Sequence, residues 1–228
     1  FTGAGISVES GIPDFRSPGG LWERFDPREY ATIYAFKRNP AKVWGMLREM
    51  DAILLRARPN PAHYALAELE AKGLLIAVIT QNVDNLHQAA GSRRVIEYHG
   101  NAHRFVCLEC GRKRAREDLD FSRVPLYCGC GGLIKPDVVF FGEPIPPEAQ
   151  AESQALAQSC DLMLIIGTSA EVAPANLLPE VAKLQGATIV ESNLAPTRLS
   201  RRLTDYFLAG PAAQVWPQVM AALAASPG

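Results

Sequence analysis

Four cysteines supply the most specific chemistry in this chain. Cys107 and Cys110 form a C-x-x-C pair, CLEC, and after seventeen intervening residues Cys128 and Cys130 form a tighter C-x-C pair, CGC. Two thiolate pairs at that separation suit a tetrahedral structural zinc, whose four sulfurs leave no coordination position for a reacting water. Gly111 follows the first pair as in a zinc knuckle. The fifth cysteine, Cys160, precedes an apolar run and reads as a small buried hydrophobe. An odd cysteine count with four clustered favours metal over disulfides. With no secretory signal visible, the expected setting is reducing and cytoplasmic.

A second set of chemically capable residues stands at the ends of apolar runs. FTGAG places Gly3, Ala4 and Gly5 in a turn, and LLIAVIT is followed by Gln81, Asn82, Val83 and Asp84. LMLII is followed by Gly167, Thr168 and Ser169, and ATIVES by Asn193. Glycine lets backbone amides approach a pyrophosphate closely, and hydroxyl groups add donors. Four such strand ends in succession point to a nucleotide. The G-x-G-x-x-G dinucleotide fingerprint is nevertheless incomplete, because Val8 stands where its third glycine falls. His99, followed by Gly100 in VIEYHGNAH, is a candidate base titrating near neutrality in a cleft between lobes. His87 and His103 compete for that role, while His63 lies in a helical pattern and reads as structural.

The elements that must position these groups follow from periodicity and caps. Asn39-Pro40 and Asn60-Pro61 each place a capping side chain before a proline at the first helical position. Val43, Met46, Leu47, Met50, Ile53 and Leu54 recur at helical spacing within a helix expected over 41–58, and Gly73 closes the next helix. LLIAVIT reads as a continuous strand buried on both faces, and LMLIIG, ATIVESN and YFLAG follow the same grammar. A last helix is expected from Pro217 to Ala225. Helices alternating with buried strands predict an α/β fold, a Rossmann-like doubly wound parallel sheet. Residues 20–60, helical without a strand partner, and 101–136, carrying the cysteines and the basic RKRAR, break the alternation. They are expected to form a smaller lobe, 21–60 with 101–136, beside a large lobe of 1–20, 61–100 and 137–228. Because the chain opens directly on the glycine turn, a strand is expected to precede it.

With 228 residues, 48% of them hydrophobic, the chain can bury a sizeable core. A net charge of −1 gives no overall field toward nucleic acid or membrane, and the longest apolar runs are strand-length. Neither partner is therefore expected. Oligomeric state has no signature here.

In this order, the pieces GAGISVESGIPDFR, TQNVDNLHQAAGS, EYHG, the paired cysteines, CGGLIKPDVVFFGE and GTSAEV resemble the sirtuins, the NAD-dependent protein lysine deacylases. The resemblance runs from residue 2 to about 217, and the PNPAH stretch is similar to the bacterial branch. It implies that Gly3, Ala4 and Gly5 receive the pyrophosphate of NAD, with Asp14, Phe15, Arg16 and Trp22 on the loop covering the cofactor. Gln81, Asn82 and Asp84 would line the ribose and nicotinamide pocket, with Asn82 and Asp84 joining His99, the general base, in catalysis. Gly167, Thr168, Ser169, Asn193, Leu194 and Ala212 would hold the adenosine half. Leu47, Met50, Val138, Phe140, Phe141, Gly142, Glu143 and Val172 would meet an acyl-lysine peptide running as an added strand. NAD would be cleaved to nicotinamide, with the acyl group passing to ADP-ribose.

Three departures qualify the resemblance. The second cysteine pair is usually C-x-x-C, and Tyr127 stands where its first cysteine belongs, so Cys128 would substitute after a backbone shift. Phe140 replaces a frequent Trp. Leu47 and Met50 replace the Tyr-x-x-Arg pair by which the desuccinylase branch grips an acyl carboxylate, which predicts a neutral acyl group. Rival readings are protein ADP-ribosyl transfer from the same pocket, a nicotinamide-dependent oxidoreductase with structural zinc, and a zinc-ribbon module that only senses NAD.

Overall fold

The structure, a computed structural model, describes residues 1–15 and 19–225. Its strands are β1 (Val78–Thr80), β2 (Val95–Glu97), β3 (Gly100–Cys107), β4 (Lys113–Ala115), β5 (Ile134–Val138), β6 (Leu162–Ile166), β7 (Thr188–Asn193) and β8 (Tyr206–Ala209). Helices α1 (Leu21–Arg24), α2 (Pro27–Tyr30), α3 (Ile33–Arg38) and α4 (Pro40–Leu54) fill the segment without strands. They are followed by α5 (Pro61–Ala71), α6 (Leu86–Ala89), α7 (Pro147–Ser159), α8 (Leu178–Leu184) and α9 (Ala212–Ala225).

All neighbours in the main sheet are parallel. β1 pairs with β2, and β6, β7 and β8 pair in that order. Thr2 bridges Thr80 on one side and Ile166 on the other, which joins the two ribbons through Phe1 and Thr2. Side chains alternate across this sheet with period two. Ile79, Ile165 and Ile189 face the core under α7 and α8, whereas Val78 and Ile166 face the core under α5 and α9. Both faces are thus covered, the expected doubly wound arrangement. A second, antiparallel sheet in the order β4-β3-β5 carries the cysteines. Ile33, Phe36, Val43 and Trp44 pack with Phe105, Cys107 and Ile134, so the helical segment and the cysteine module share one core.

The caps act as the sequence requires. The Asn39 side chain accepts the Lys42 amide at the start of α4, and the Asn60 side chain accepts the Ala62 amide at the start of α5. Two expectations need correction. LLIAVIT is a strand only from Val78, and Leu74 and Ile76 are exposed. Gly73, in the left-handed conformation, ends α5, and the amides of Leu74 and Leu75 both return to the Leu69 carbonyl, so the first apolar residues terminate a helix. The last helix begins at Ala212 rather than Pro217, and Pro217 lies inside it. The Pro211 carbonyl accepts the amides of Gln214 and Val215, starting the turn early enough to bury Ala212 and Trp216. That burial outweighs the single helical hydrogen bond that Pro217 cannot donate.

One backbone crossing sets the geometry above the sheet. Gly167 has φ +60°, and a Cβ there would lie 2.4 Å from the Ile6 nitrogen; one on Gly5 would lie 2.7 Å from the Gly167 Cα. Gly186 has φ +93° but open space around it. Urea unfolding should therefore show Gly186→Ala costing about 1–2 kcal/mol for its left-handed backbone. Gly167→Ala should cost clearly more, above about 3 kcal/mol, at the upper end of single substitutions.

Candidate active site

The carboxyl ends of β1, β6 and β7 and of the Phe1–Thr2 segment open into one cavity of about 1070 Å³, large enough for a dinucleotide with part of a second substrate. Its far wall comes from α4, β3 and the segment after β5. Every nucleotide, catalytic and acyl-pocket residue named from the sequence lies in its lining, except Arg16, which is outside the described residues. The Gly3 and Gly5 amides already donate to the carbonyls of Ile166 and Gly167, so these residues offer a flat backbone floor rather than free donors. The turn continues as a 3-10 helix, Ala4–Ser10, ended by Gly11 at φ +86°.

Of the four histidines only His99 faces this cavity. It sits where β2 hands over to β3, between the parallel and the antiparallel sheet. The following Gly100 has φ +80°, and a Cβ there would be 2.0 Å from the Asp137 carbonyl oxygen, so only glycine permits the crossing. His99 Nδ1 is 3.1 Å from the Gln81 carbonyl oxygen, an acceptor only. Nδ1 therefore carries the proton and Nε2 keeps its lone pair, the tautomer of a base. Burial pushes the His99 pKa below the ordinary value of 6.5, partly opposed by the Gln81 carbonyl. His87 is buried behind the floor, with Nε2 3.0 Å from Thr2 Oγ1. His103 lines a separate cavity of about 180 Å³ and lies 3.3 Å from the Asp84 carbonyl.

The floor is a tight polar web. Asn82 Nδ2 donates to the Gly3 carbonyl and to Ser7 Oγ, each at 3.1 Å, and Ser7 Oγ donates to Asp84 Oδ2 at 2.6 Å. Both amide hydrogens of Asn82 are engaged, so Oδ1 is the atom it can turn to a ligand. Gln81 Nε2 donates to Thr168 Oγ1 at 2.9 Å, and Asn193 Nδ2 to the Thr168 carbonyl at 3.1 Å, tying three strand ends together. Ser192 Oγ, buried in the lining beside Asn193, has no partner among the described residues.

The wall formed by residues 138–143 rests on a cation that sequence reasoning missed. Lys135, 4% exposed, donates to the Val138 carbonyl at 2.6 Å, lies 3.1 Å from Glu143 Oε2, and sits 5.0 Å from the centre of the Phe140 ring. Glu143 also accepts the Phe140 amide at 2.9 Å. Its carboxylate, in the cavity lining, is thus engaged by the Lys135 ammonium and the Phe140 amide. Phe141 donates its amide to Ala31 and accepts that of Ile33, which docks the helical segment onto the same wall. Leu47 and Met50 line the cavity as apolar surface, joined by Trp44, Phe105 and Phe121, which were not anticipated. Six acidic residues line the cavity (Glu9, Asp14, Asp51, Asp84, Glu143 and Glu171) and no lysine or arginine does among the described residues.

The four cysteine sulfurs lie within 4.8 Å of one another, with Cys107 to Cys130 at 3.6 Å and Cys110 to Cys128 at 3.8 Å. Zinc–sulfur bonds of about 2.3 Å give a tetrahedron with edges of about 3.8 Å, so the donor set fits one zinc ion with no open position. The C-x-C pair converges with the first pair despite its tighter spacing. The Cys128 amide donates to the Gly132 carbonyl and the Gly131 amide to Cys128, a turn that brings both sulfurs inward while Tyr127 points to solvent. The Cys130 amide draws the Cys128 thiol down to about 6, toward the thiolate a metal binds.

The fold and this site define a nucleotide-binding enzyme with a closed cysteine tetrad, and the Sir2 family model matches residues 3–174. The chain belongs to the Sir2 family. It is 50% identical to NAD-dependent protein deacylase 2 of Pyrobaculum aerophilum, over 96% of this chain and 88% of that protein. Among solved structures, it resembles a Sir2 homologue in complex with NAD (TM-score 0.91, 41% identity, 98% of this chain and 87% of the other). It also resembles a Sir2 protein holding a deacetylated p53 peptide and 3'-O-acetyl ADP-ribose (TM-score 0.90, 38% identity, 97% and 91%).

Elemental analysis of the purified protein should give one zinc per chain. Cys128→Ser should lower that stoichiometry and the melting temperature together, because the tetrad belongs to the core shared with α3 and α4.

Proposed function

We infer that this chain is an NAD-dependent protein lysine deacylase, which cleaves NAD to nicotinamide and passes the acyl group from lysine to ADP-ribose. The observation that carries this is His99, the one histidine in the cavity, held in the base tautomer beside Gln81, Asn82 and Asp84. NAD supplies the glycosidic bond whose cleavage leaves the ribose electron-poor. Positive charge developing there meets a lining that holds carboxylates and, among the described residues, no lysine or arginine, with Glu143 and Asp51 matched by Lys135 and Arg116 from outside it. His99 Nε2 would take the proton of a ribose hydroxyl as the acyl group transfers. Gly3 to Gly5 form the floor beneath the pyrophosphate, Asp14, Phe15 and Trp22 belong to the part that covers the cofactor, and Gly167 to Ser169, Asn193, Leu194 and Ala212 hold the adenosine half. The zinc is structural, binding within a small lobe of 21–60 and 101–136 set against the large lobe. The unpaired thiols suit a reducing, cytoplasmic setting.

A peptide would lie between the 138–143 segment and Val172, its acyl-lysine passing Val138 and Phe140 toward Leu47 and Met50. A carboxylate-bearing acyl group would lose its hydration there without meeting a described cation, a costly transfer. The lining therefore favours acetyl or a longer apolar acyl group over succinyl or malonyl. With matched lysine peptides and NAD, mass spectrometry should show acetyl removed at least ten times faster than succinyl. Equal or faster succinyl removal overturns the selectivity, and label appearing on protein would indicate ADP-ribosyl transfer instead.

His99→Ala should lower kcat by at least ~100-fold, the ordinary contribution of a positioned base, while NAD affinity by calorimetry changes only a few-fold. Because burial lowers the His99 pKa, the base form is present through neutral pH. In the wild type kcat/KM should be flat above pH 7 and fall as pH drops below 6.5. His99→Ala should abolish that acidic limb.

A further inference from the structure

His63 is fully buried in the first turn of α5, away from the cavity lining, yet it touches the catalytic web. The Asn60 amide donates to His63 Nδ1 at 3.3 Å, closing the capping box of α5. Nδ1 therefore accepts, and the ring proton sits on Nε2. Nε2 lies 3.4 Å from Ser7 Oγ. Burial holds the His63 pKa down at about 4, so the ring stays neutral with that one donor.

The direction of the remaining bonds follows by counting. A serine hydroxyl has two lone pairs and one hydrogen. Ser7 Oγ receives Asn82 Nδ2 at 3.1 Å and His63 Nε2–H on its other side, which leaves its hydrogen for Asp84 Oδ2 at 2.6 Å. The second hydrogen of Asn82 Nδ2 is held by the Gly3 carbonyl. Asp84 is fixed further by the Leu86 amide on Oδ1 at 2.9 Å.

We propose that His63 is a positioning residue for the active site: its Nε2–H saturates Ser7, which locks the Ser7-to-Asp84 bond and keeps the Asn82 amide turned with Oδ1 toward the ligand. It rests on the deacylase reading, since it assigns His63 a part in that reaction through Ser7, Asn82 and Asp84. The helix cap ties the donor in place, so one residue both starts α5 and orients the floor of the cavity. A neutral imidazole serves better than a cation here, because charging it beside the buried His87 ring, 4.9 Å away, would be costly.

The variants His63→Gln, His63→Met and Ser7→Ala, with the Ser7→Ala/His63→Met double, test this. Glutamine is the usual third-position partner of a capping box and also offers an N–H to Ser7. The wild type is first shown to turn over an acetyl-lysine peptide with NAD; no turnover would remove the deacylase reading before His63 is judged. His63→Gln should then retain kcat/KM within about 3-fold and His63→Met lose at least ~10-fold. Adding His63→Met to Ser7→Ala should cost less than ~2-fold, because the histidine acts through the serine. If the methionine variant melts before assay temperature, it and His63→Gln are compared below its melting temperature, with the same ~10-fold difference expected. The proposal is overturned if the methionine substitution costs the same factor with and without Ser7. It is equally overturned if glutamine is as impaired as the donor-free variant while both melt like the wild type.

Discussion

No side chain fits between the turn after the Phe1–Thr2 segment and the turn after β6, and the site above the sheet is built on that constraint. Gly3, Gly5 and Gly167 meet backbone to backbone, with the Gly5 amide 2.7 Å from the Gly167 carbonyl oxygen. Their contact brings the ends of adjacent parallel strands close enough for Gln81 to reach Thr168 and for Asn193 to reach the Thr168 carbonyl. A Cβ at any of the three would separate these loops and with them the two ends of the nucleotide floor. The glycines are thus needed for the distance between two chain segments, whatever ligand is present.

The second dependence is the crossing at His99 and Gly100. One residue before it the chain is in the parallel sheet, with the Tyr98 amide on the Thr80 carbonyl; one residue after it, Gly100 pairs with Val138. A histidine placed at that junction faces the strand-end residues Gln81 and Asn82 on one side and the wall formed by residues 138–143 on the other. The wall is rigid for its own reason: Lys135 is buried, and its charge is matched by Glu143, two carbonyls and the Phe140 ring. Such a pair is costly to desolvate, and removing either member would leave a buried charge unmatched. The Lys135 charge is in this way kept out of the lining, while Leu47 and Met50 give the cavity apolar surface.

Much of this was legible in the sequence, because strand ends and metal pairs announce themselves locally. LMLII, ATIVES and YFLA became β6, β7 and β8, and the two cysteine pairs converged as their spacing implied. What escaped was decided by partners distant along the chain. LLIA reads as strand until Gly73 is seen to direct Leu74 and Leu75 back to Leu69. Pro217 reads as a helix start until Trp216 is seen buried under the sheet. Glu191 looks like an ordinary strand residue, yet it is fully buried and satisfied by the hydroxyls of Thr197, Ser200 and Thr204, which anchor the loop after Asn193. Lys135 within a strand gave a weak signal, a cation in an apolar run, that burial with a partner could have explained.

The absent third glycine has a structural reason once the first turn is seen in place. In a dinucleotide fingerprint that glycine lets an α-helix pack closely against its strand. Here no α-helix follows. The chain coils as a 3-10 helix, with Ile6 fully buried against α5 and α9 and Ser7 buried onto Asp84. The next residue, Val8, is 40% exposed and faces the cavity. Its side chain meets no strand, so nothing there demands glycine. The 3-10 turn brings Ser7 under Asn82 and Asp84, which a long helix starting at Gly5 would carry along its own axis instead. The departure from the fingerprint and the polar web of the cavity floor are therefore one feature: a turn wound tightly enough to place Ser7 within hydrogen-bond reach of Asn82 and Asp84.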